Sequence, residues 1–69
     1  MQITTGLFEH INQGNTGRLI MVYDHTVGDT IDLYERRVKG HGHIVTGRKL
    51  TALIIGRSDN VITVERYRK

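Results

Sequence analysis

Cationic residues form the most prominent group with possible chemistry in this sequence. Arg36, Arg37 and Lys39 lead into a glycine-containing loop that also carries two histidines, and Arg48 and Lys49 follow shortly after it. A cationic segment of this kind can follow a phosphate backbone, because each Lys or Arg that neutralises a phosphate releases a counterion. An ordinary solvated loop is the alternative. We take these five cations as candidate nucleic-acid-binding residues.

The C-terminal residues Arg66, Tyr67 and Arg68 place an aromatic ring between two cations. A base can stack on such a ring while the cations contact phosphates, which is typical of single-stranded nucleic-acid binding. Chain ends also commonly fray, so a tail without a role is the alternative. These three residues join the candidate binding set.

Metal and catalytic chemistry find less support in the sequence. His41 and His43 lie two residues apart and could meet His10 or His25, and neutral imidazole is a common metal ligand. The chain contains no cysteine and no helical pair of metal-ligand histidines, however, and its glycines do not follow a phosphate-cradling pattern. We predict no metal, no cofactor and no complete catalytic centre.

Length and composition limit the class of protein. The 69 residues suffice for one domain, residues 1–69, and not for two. Ten Lys and Arg against seven Asp and Glu give a formal net charge of +3, which favours polyanionic partners. No apolar run reaches the roughly 18 residues of a membrane span, and the first residues lack the pattern of a secretory signal. We expect a cytoplasmic protein without membrane contact.

Hydrophobic periodicity predicts that strands position these residues. Residues 18–23 and 50–55 are apolar runs of strand length, whereas residues 30–34 and 61–65 alternate polar and apolar side chains. Turn chemistry between the last two of these strands predicts that a hairpin closes the chain.

Turns separate the predicted strands. Residues 39–43 carry two glycines and are predicted to form a flexible loop, and residues 46–48 are predicted to form a second turn. The strand of residues 50–55 is expected to stop at Gly56, with a turn at residues 57–60.

One short helix is predicted near the N-terminus. Phe8 and Ile11 lie on one helical face, Thr4 or Thr5 can cap its start, and Gly14 can end it. Several short strands with one helix predict a mostly β (α+β) fold, formed as a small curved sheet or barrel. The predicted core consists of Phe8, Ile11, Leu19, Met21, Ile31, Leu33, Leu53, Ile55, Ile62 and Val64.

Three segments follow one another in an order found in a known family. Leu7–Thr16 combines a short helix with a closing glycine and a polar-threonine pair, Val27–Leu33 combines a turn with a strand, and Thr46–Leu50 is a turn that leads to the next strand. In this order the chain resembles the ASCH superfamily, in the compact form found in phage and bacterial genomes. The resemblance covers nearly the whole chain and implies a PUA-like β-barrel whose cleft, beside the helix, binds RNA or a nucleotide.

The sequence departs from this family in ways that bear on activity. Asn15 stands where the family usually has a lysine, and the family's arginine on the next strand falls at Ile20, two residues after Arg18. Some members are amidohydrolases that use Lys, Thr and Glu on acylated nucleosides, but the Lys and the segment expected to bring the Glu are missing here. The resemblance thus implies a binding cleft lined by Asn15, Thr16, Arg18 and Lys49.

The sequence as a whole predicts a non-catalytic module that binds nucleic acid, RNA rather than DNA, or a nucleotide. One alternative is a small amidohydrolase acting on a modified nucleoside, with Thr16 as nucleophile or positioning group and Glu35 or Glu65 as acid–base partner. Another is a phage-type protein-interaction module or inhibitor of a host enzyme, which would use its edge strands and the surface around Tyr34 and Tyr67. The sequence specifies no oligomeric state.

Overall fold

One curled sheet and one helix account for most of residues 1–20 and 24–68, the part of the chain that the computed structural model describes. The elements are β1 (Gln2–Thr4), α1 (Thr5–Asn12), β2 (Gly17–Ile20), β3 (Thr30–Lys39), β4 (Gly42–Ser58) and β5 (Val61–Arg66). The strand order is β1-β3-β4-β5-β2, with β1 parallel to β3 and the other pairs antiparallel. The sheet forms a half-barrel, so the predicted small, mostly β fold with one short N-terminal helix is confirmed.

The helix α1 begins and ends where the sequence places its caps. Thr4 is the N-cap and its Oγ1 accepts a hydrogen bond from the Leu7 N–H at 3.4 Å. After the C-cap Gln13, Gly14 has a φ of 103°, a left-handed conformation that glycine adopts without strain. Because eight residues are too few for a stable isolated helix, α1 depends on the contacts that it makes with β1, β2, β3 and β5.

The core lies between α1 and the inner face of the sheet. Its buried residues are Ile3, Phe8, Ile11, Leu19, Leu33, Leu50, Ala52, Ile54, Ile62 and Val64. Six predicted core residues are therefore confirmed, namely Phe8, Ile11, Leu19, Leu33, Ile62 and Val64. Ile31 is half-buried against this core, and Met21 lies outside the described residues.

The predicted core positions on β4 are wrong by one residue. Leu53 is only half-buried and Ile55 is exposed, whereas Ala52 and Ile54 point into the core. The run from Leu50 to Ile55 is nearly all apolar, so its composition does not reveal which alternate residues face inward.

Strand β4 is also longer than predicted, because two bulges let it continue through the predicted turns. Residues 46–48 form an irregularity inside β4 instead of a separate turn, with Gly47 at a φ of 91°. The strand does not stop at Gly56, since one extra β4 residue between Ile54 and Gly56 shifts the register with β5 and pairing continues to Ser58. Only Asp59 and Asn60 form the turn before β5.

The predicted flexible loop at residues 39–43 is a tight turn. Lys39 pairs with Gly42 and Val38 pairs with His43, so only Gly40 and His41 connect β3 to β4. Gly40 has a φ of 61°, which suits a two-residue hairpin turn.

The outer half of the β3–β4 hairpin extends past its neighbouring strands. The β1 pairing with β3 ends at Arg36, and the β5 pairing with β4 begins only at Ala52. We call the two-stranded segment of residues 36–45 the ribbon. The sequence predicts a strand only for residues 30–34 of β3, so it does not predict the ribbon.

Of the predicted strand 18–23, β2 covers residues up to Ile20, and residues 21–23 lie outside the described residues. No helix in the described chain is long and apolar enough to cross a membrane.

Candidate functional site

A buried carboxylate lies at the root of the ribbon. Glu35 on β3 has no exposed surface. Among the described residues, no other polar or charged residue is buried. Thr46 Oγ1 donates a hydrogen bond to Glu35 Oε1 at 2.6 Å, and Arg48 Nη1 donates to Oε2 at 3.1 Å. Arg37 Nε adds an ion pair at 3.5 Å from Oε1. The desolvated charge is thus compensated on both carboxylate oxygens.

The bulge at Gly47 explains how two β4 side chains reach the same carboxylate. Between the pairs Tyr34–Lys49 and Arg36–Val45, β3 contributes one residue and β4 contributes residues 46–48. Thr46 and Arg48 lie on either side of Gly47, and both contact the inward-facing Glu35. The bulge therefore directs two polar side chains toward one buried group.

Arg48 joins this cluster to the helix. Besides Glu35, its Nη1 donates to Glu9 Oε1 on α1 at 2.5 Å, and its guanidinium carbon lies 4.7 Å from the centre of the Phe8 ring. The Phe8 ring and the carboxylates of Glu9 and Glu35 therefore hold the Arg48 side chain in one orientation. The hydrogen bond that Arg48 donates to Glu9 is the main reason that the pKa of Arg48 is raised. Arg48 is thus an internal link between α1 and the sheet.

The protonation of Glu35 follows from these contacts. The hydrogen bond from Thr46 is the largest influence and lowers the pKa of Glu35, while burial raises it and is the next largest. The charges of Arg37 and Arg48 lower the pKa further, and it lies below its ordinary value. An ionised carboxylate held in this way is a poor general base near neutral pH, so the cluster is suited to anchoring cations.

The ribbon carries its cations on both faces. Glu35 points inward, so by alternation Arg37 and Lys39 share its face, whereas Arg36 and Val38 point to the outer face. Cross-strand partners share a face, which places Val45 and His43 beside Arg36 and Val38. The ribbon is therefore a two-sided cationic element, and its apolar side chains are also exposed, with Val38 at 73%.

A surface pocket of about 610 Å³ lies beside β1 and the first half of β3. Its lining includes Gln2, His25, Ile31, Asp32, Tyr34 and Arg36. Tyr34 pairs with Gln2 on one side and with Lys49 on the other, so an aromatic ring stands between an amide and a cation. The pocket meets the ribbon at Arg36, which belongs to both.

The structure divides the candidate binding residues into three groups. Arg36, Arg37, Lys39, Arg48 and Lys49 lie on the ribbon or at its root. Asn15, Thr16 and Arg18 lie at and just before β2, an edge strand of the sheet. Arg66, Tyr67 and Arg68 lie at and after the end of β5, where Arg66 Nη1 donates to the Asn12 carbonyl at the end of α1.

The structure places the four residues of the cleft implied by the family resemblance at or just before β2 and on β4. Lys49 precedes the part of β4 that pairs with β5, whereas Arg18 on β2 pairs with Thr63 of β5. Arg18 lines a pocket of about 400 Å³ with Arg57 near the β4–β5 turn, and it also lines a pocket of about 440 Å³ with Gln2 and Arg36. For the amidohydrolase alternative, Glu35 lies on β3 and Thr16 just before β2, with β4 and β5 between these two strands in the order of the sheet.

Sequence reasoning misses the roles of Glu35, Thr46 and the pocket around Tyr34. Asp32, Tyr34 and Arg36 are spaced two residues apart, and in a strand this spacing places their side chains on one face. This spacing is the sequence signal that could have indicated the pocket. Nothing in the sequence reveals the cluster around Glu35, because its partners come from a bulge whose position depends on strand pairing.

Comparison of the chain with protein-family models, curated proteins and solved structures gave no match. Within residues 1–20 and 24–68, no group of three His, Asp or Glu side chains is placed to hold a metal ion. The fold and the site thus define a small, curled, mostly β domain with a projecting cationic ribbon.

Proposed function

We propose that the protein is a small, non-catalytic nucleic-acid-binding module that contacts phosphates through the ribbon and its root. The observation that carries this proposal is the separation of charge along the chain. Residues 36–49, the ribbon and the adjoining part of β4, contain five Lys and Arg and no Asp or Glu, whereas the other residues contain five Lys and Arg and all seven acids. The modest net charge of +3 therefore conceals one strongly cationic region.

The fold presents this cationic region to a partner. The ribbon extends past β1 and β5, so Arg37 and Lys39 lie away from the acidic residues of the sheet body. Glu35, the acid nearest to them in sequence, is buried and bonded to Thr46 and Arg48, and its ion pair with Arg37 Nε leaves the Arg37 side chain 56% exposed. The ribbon cations remain available for phosphates, which are the most common polyanionic ligands of such surfaces.

The order of elements supports the ASCH-like, PUA-like assignment as part of this proposal, and through it RNA over DNA. A short helix and its closing glycine are followed by strands β2, β3 and β4, which is the order on which the resemblance rests. The surface differs from the implied cleft, since the densest cationic group is on the ribbon and not beside β2.

The test is a binding titration with fluorescently labelled single-stranded RNA, single-stranded DNA and duplex at low and moderate salt. We expect the double variant Arg37→Gln/Lys39→Gln to bind single-stranded RNA about tenfold more weakly at low salt. The plot of log affinity against log salt should become shallower by roughly 1.4, because each phosphate contact to a single strand contributes about 0.7.

The double variant Arg66→Gln/Arg68→Gln is the matched control. It removes the same two charges from exposed positions outside the ribbon, so affinity and salt slope should stay close to those of the wild type. Equal losses in the two double variants would show that only net charge matters. Absence of binding at low salt to all three nucleic acids would overturn the proposal.

A further inference from the structure

We infer that the pocket beside β1 and β3 binds an unpaired nucleobase, which stacks on Tyr34. This inference rests on the proposed function and names its ligand class as single-stranded nucleic acid. Bases inside a duplex are stacked on each other. An aromatic ring in a pocket therefore selects for an unpaired base, which can turn out of the stack.

The position of Tyr34 is the first argument. Its side chain is 37% exposed on the outer face, with Gln2 on the neighbouring β1 and Lys49 on the neighbouring β4. An aromatic ring on a sheet face with a cation at its side can hold a base and contact the adjoining phosphate.

The pocket supplies the remaining requirements of a base site. A volume of about 610 Å³ falls within the usual range for small-ligand pockets, and Ile31 contributes apolar surface next to the ring. Gln2 carries both a donor and an acceptor for a base edge. Asp32 is held in place by a hydrogen bond from Thr51 Oγ1 to its Oδ1 at 2.9 Å, which orients the carboxylate as a further acceptor.

Arg36 provides an independent observation. Its Nε is buried and makes no hydrogen bond within the described part of the chain, although Arg36 lines the pocket. Buried donors are nearly always paired, so Arg36 keeps an unpaired donor that a rotation of its side chain toward the pocket can bring to a base oxygen or a phosphate. Arg36 is also the first residue of the ribbon, so a strand whose base enters the pocket already lies at the root of the ribbon.

The test compares Tyr34→Leu, Tyr34→Phe and Tyr67→Leu in the single-stranded RNA titration. We expect Tyr34→Leu to weaken binding about tenfold, the size of effect that loss of one stacked base produces, with an unchanged salt slope. Tyr34→Phe keeps the aromatic ring and should bind like the wild type. Tyr67→Leu changes an equally exposed tyrosine, at 39%, outside the pocket, and should also bind like the wild type.

A second measurement separates this inference from the proposed function. NMR titration with cytidine and uridine monophosphates should shift the signals of Tyr34, Gln2 and Arg36 in the wild type and not in Tyr34→Leu. Single-stranded RNA binding that depends on the ribbon but is unaffected by Tyr34→Leu would overturn the inference and leave the proposed function standing. Pocket shifts without any oligonucleotide binding would support the base site and overturn the proposed function.

Discussion

At the scale of single residues, the surroundings of Glu35 determine what this carboxylate can do. The short hydrogen bond from Thr46 and the nearby guanidinium groups stabilise its ionised form against the cost of burial. The ion pair in turn fixes Arg48, which also binds Glu9 on α1. Glu35 therefore acts as an anchor that joins the ribbon root to the helix.

We expect Glu35→Gln to destabilise the protein at neutral pH, because Arg48 would then lie beside a buried neutral group. The folded pKa of Glu35 is depressed, so its stabilising contribution is present above the unfolded value near 4.5 and is lost as pH falls through the folded value. The free energies of unfolding of wild type and variant should differ at neutral pH and converge in acid. Urea unfolding over a series of pH values measures this difference.

Glu65→Gln is the control for that experiment, since it makes the same change at a half-buried position on β5 outside the cluster. It should alter stability less than Glu35→Gln at neutral pH. A stability difference between wild type and Glu35→Gln that persists undiminished in acid would contradict the ionic role of Glu35.

The cations of the ribbon are predictable from the sequence because they are neighbours along the chain. Arg36, Arg37 and Lys39 need only a projecting strand to give it cations on both faces. The cluster around Glu35 and the pocket around Tyr34 need residues from separate strands, brought together by a register that local sequence does not specify.

At the scale of elements, the packing of α1 against β2 depends on a close approach at Gly17. A Cβ atom added there would lie 2.8 Å from Ile11 Cδ1 and 2.9 Å from Ile11 Cγ1. Ile11 is fully buried, so its side chain has little freedom to move away. The absence of a side chain at Gly17 thus sets the distance between the helix and this edge of the sheet.

We expect Gly17→Ala to destabilise the protein by about 1 to 3 kcal/mol, the usual cost of overpacking a filled core. Gly6→Ala is the matched control, because Gly6 lies in α1 and an added Cβ there would have no neighbour within 4 Å. Alanine favours helix more than glycine does, so Gly6→Ala should stabilise by up to about 1 kcal/mol. Urea unfolding midpoints of both variants give the comparison, and equal effects of the same sign would contradict the close approach.

Elements with local signals are the ones that the sequence predicts well. The cap at Thr4 and the glycine after α1 define the helix, and the turn at Asp59 and Asn60 defines the last hairpin. The two bulges of β4 have no such signal, because Gly47 and Gly56 look like turn residues in a single sequence. The length of the hairpin is therefore underestimated from sequence.

At the scale of the whole molecule, the unequal distribution of charge implies different roles for the ribbon and the pocket. A concentrated cationic region attracts a polyanion from a distance and orients it, which mainly affects the rate of association. A base stacked in the pocket is a short-range contact that forms after encounter, and it mainly affects the rate of dissociation. The two surfaces meet at Arg36, so one nucleic-acid strand can use both.

Stopped-flow kinetics with single-stranded RNA should separate these two roles. We expect Arg37→Gln/Lys39→Gln to slow association several-fold at low ionic strength, with a smaller difference at high salt, because mobile ions screen the ribbon charges. Tyr34→Leu should leave the association rate unchanged and raise the dissociation rate about tenfold, because the lost stacking contact forms only in the complex. Slower association in Tyr34→Leu, equal to that of the ribbon variant, would instead show that the pocket takes part in the encounter. The division of roles between long-range charge and short-range stacking would then be wrong.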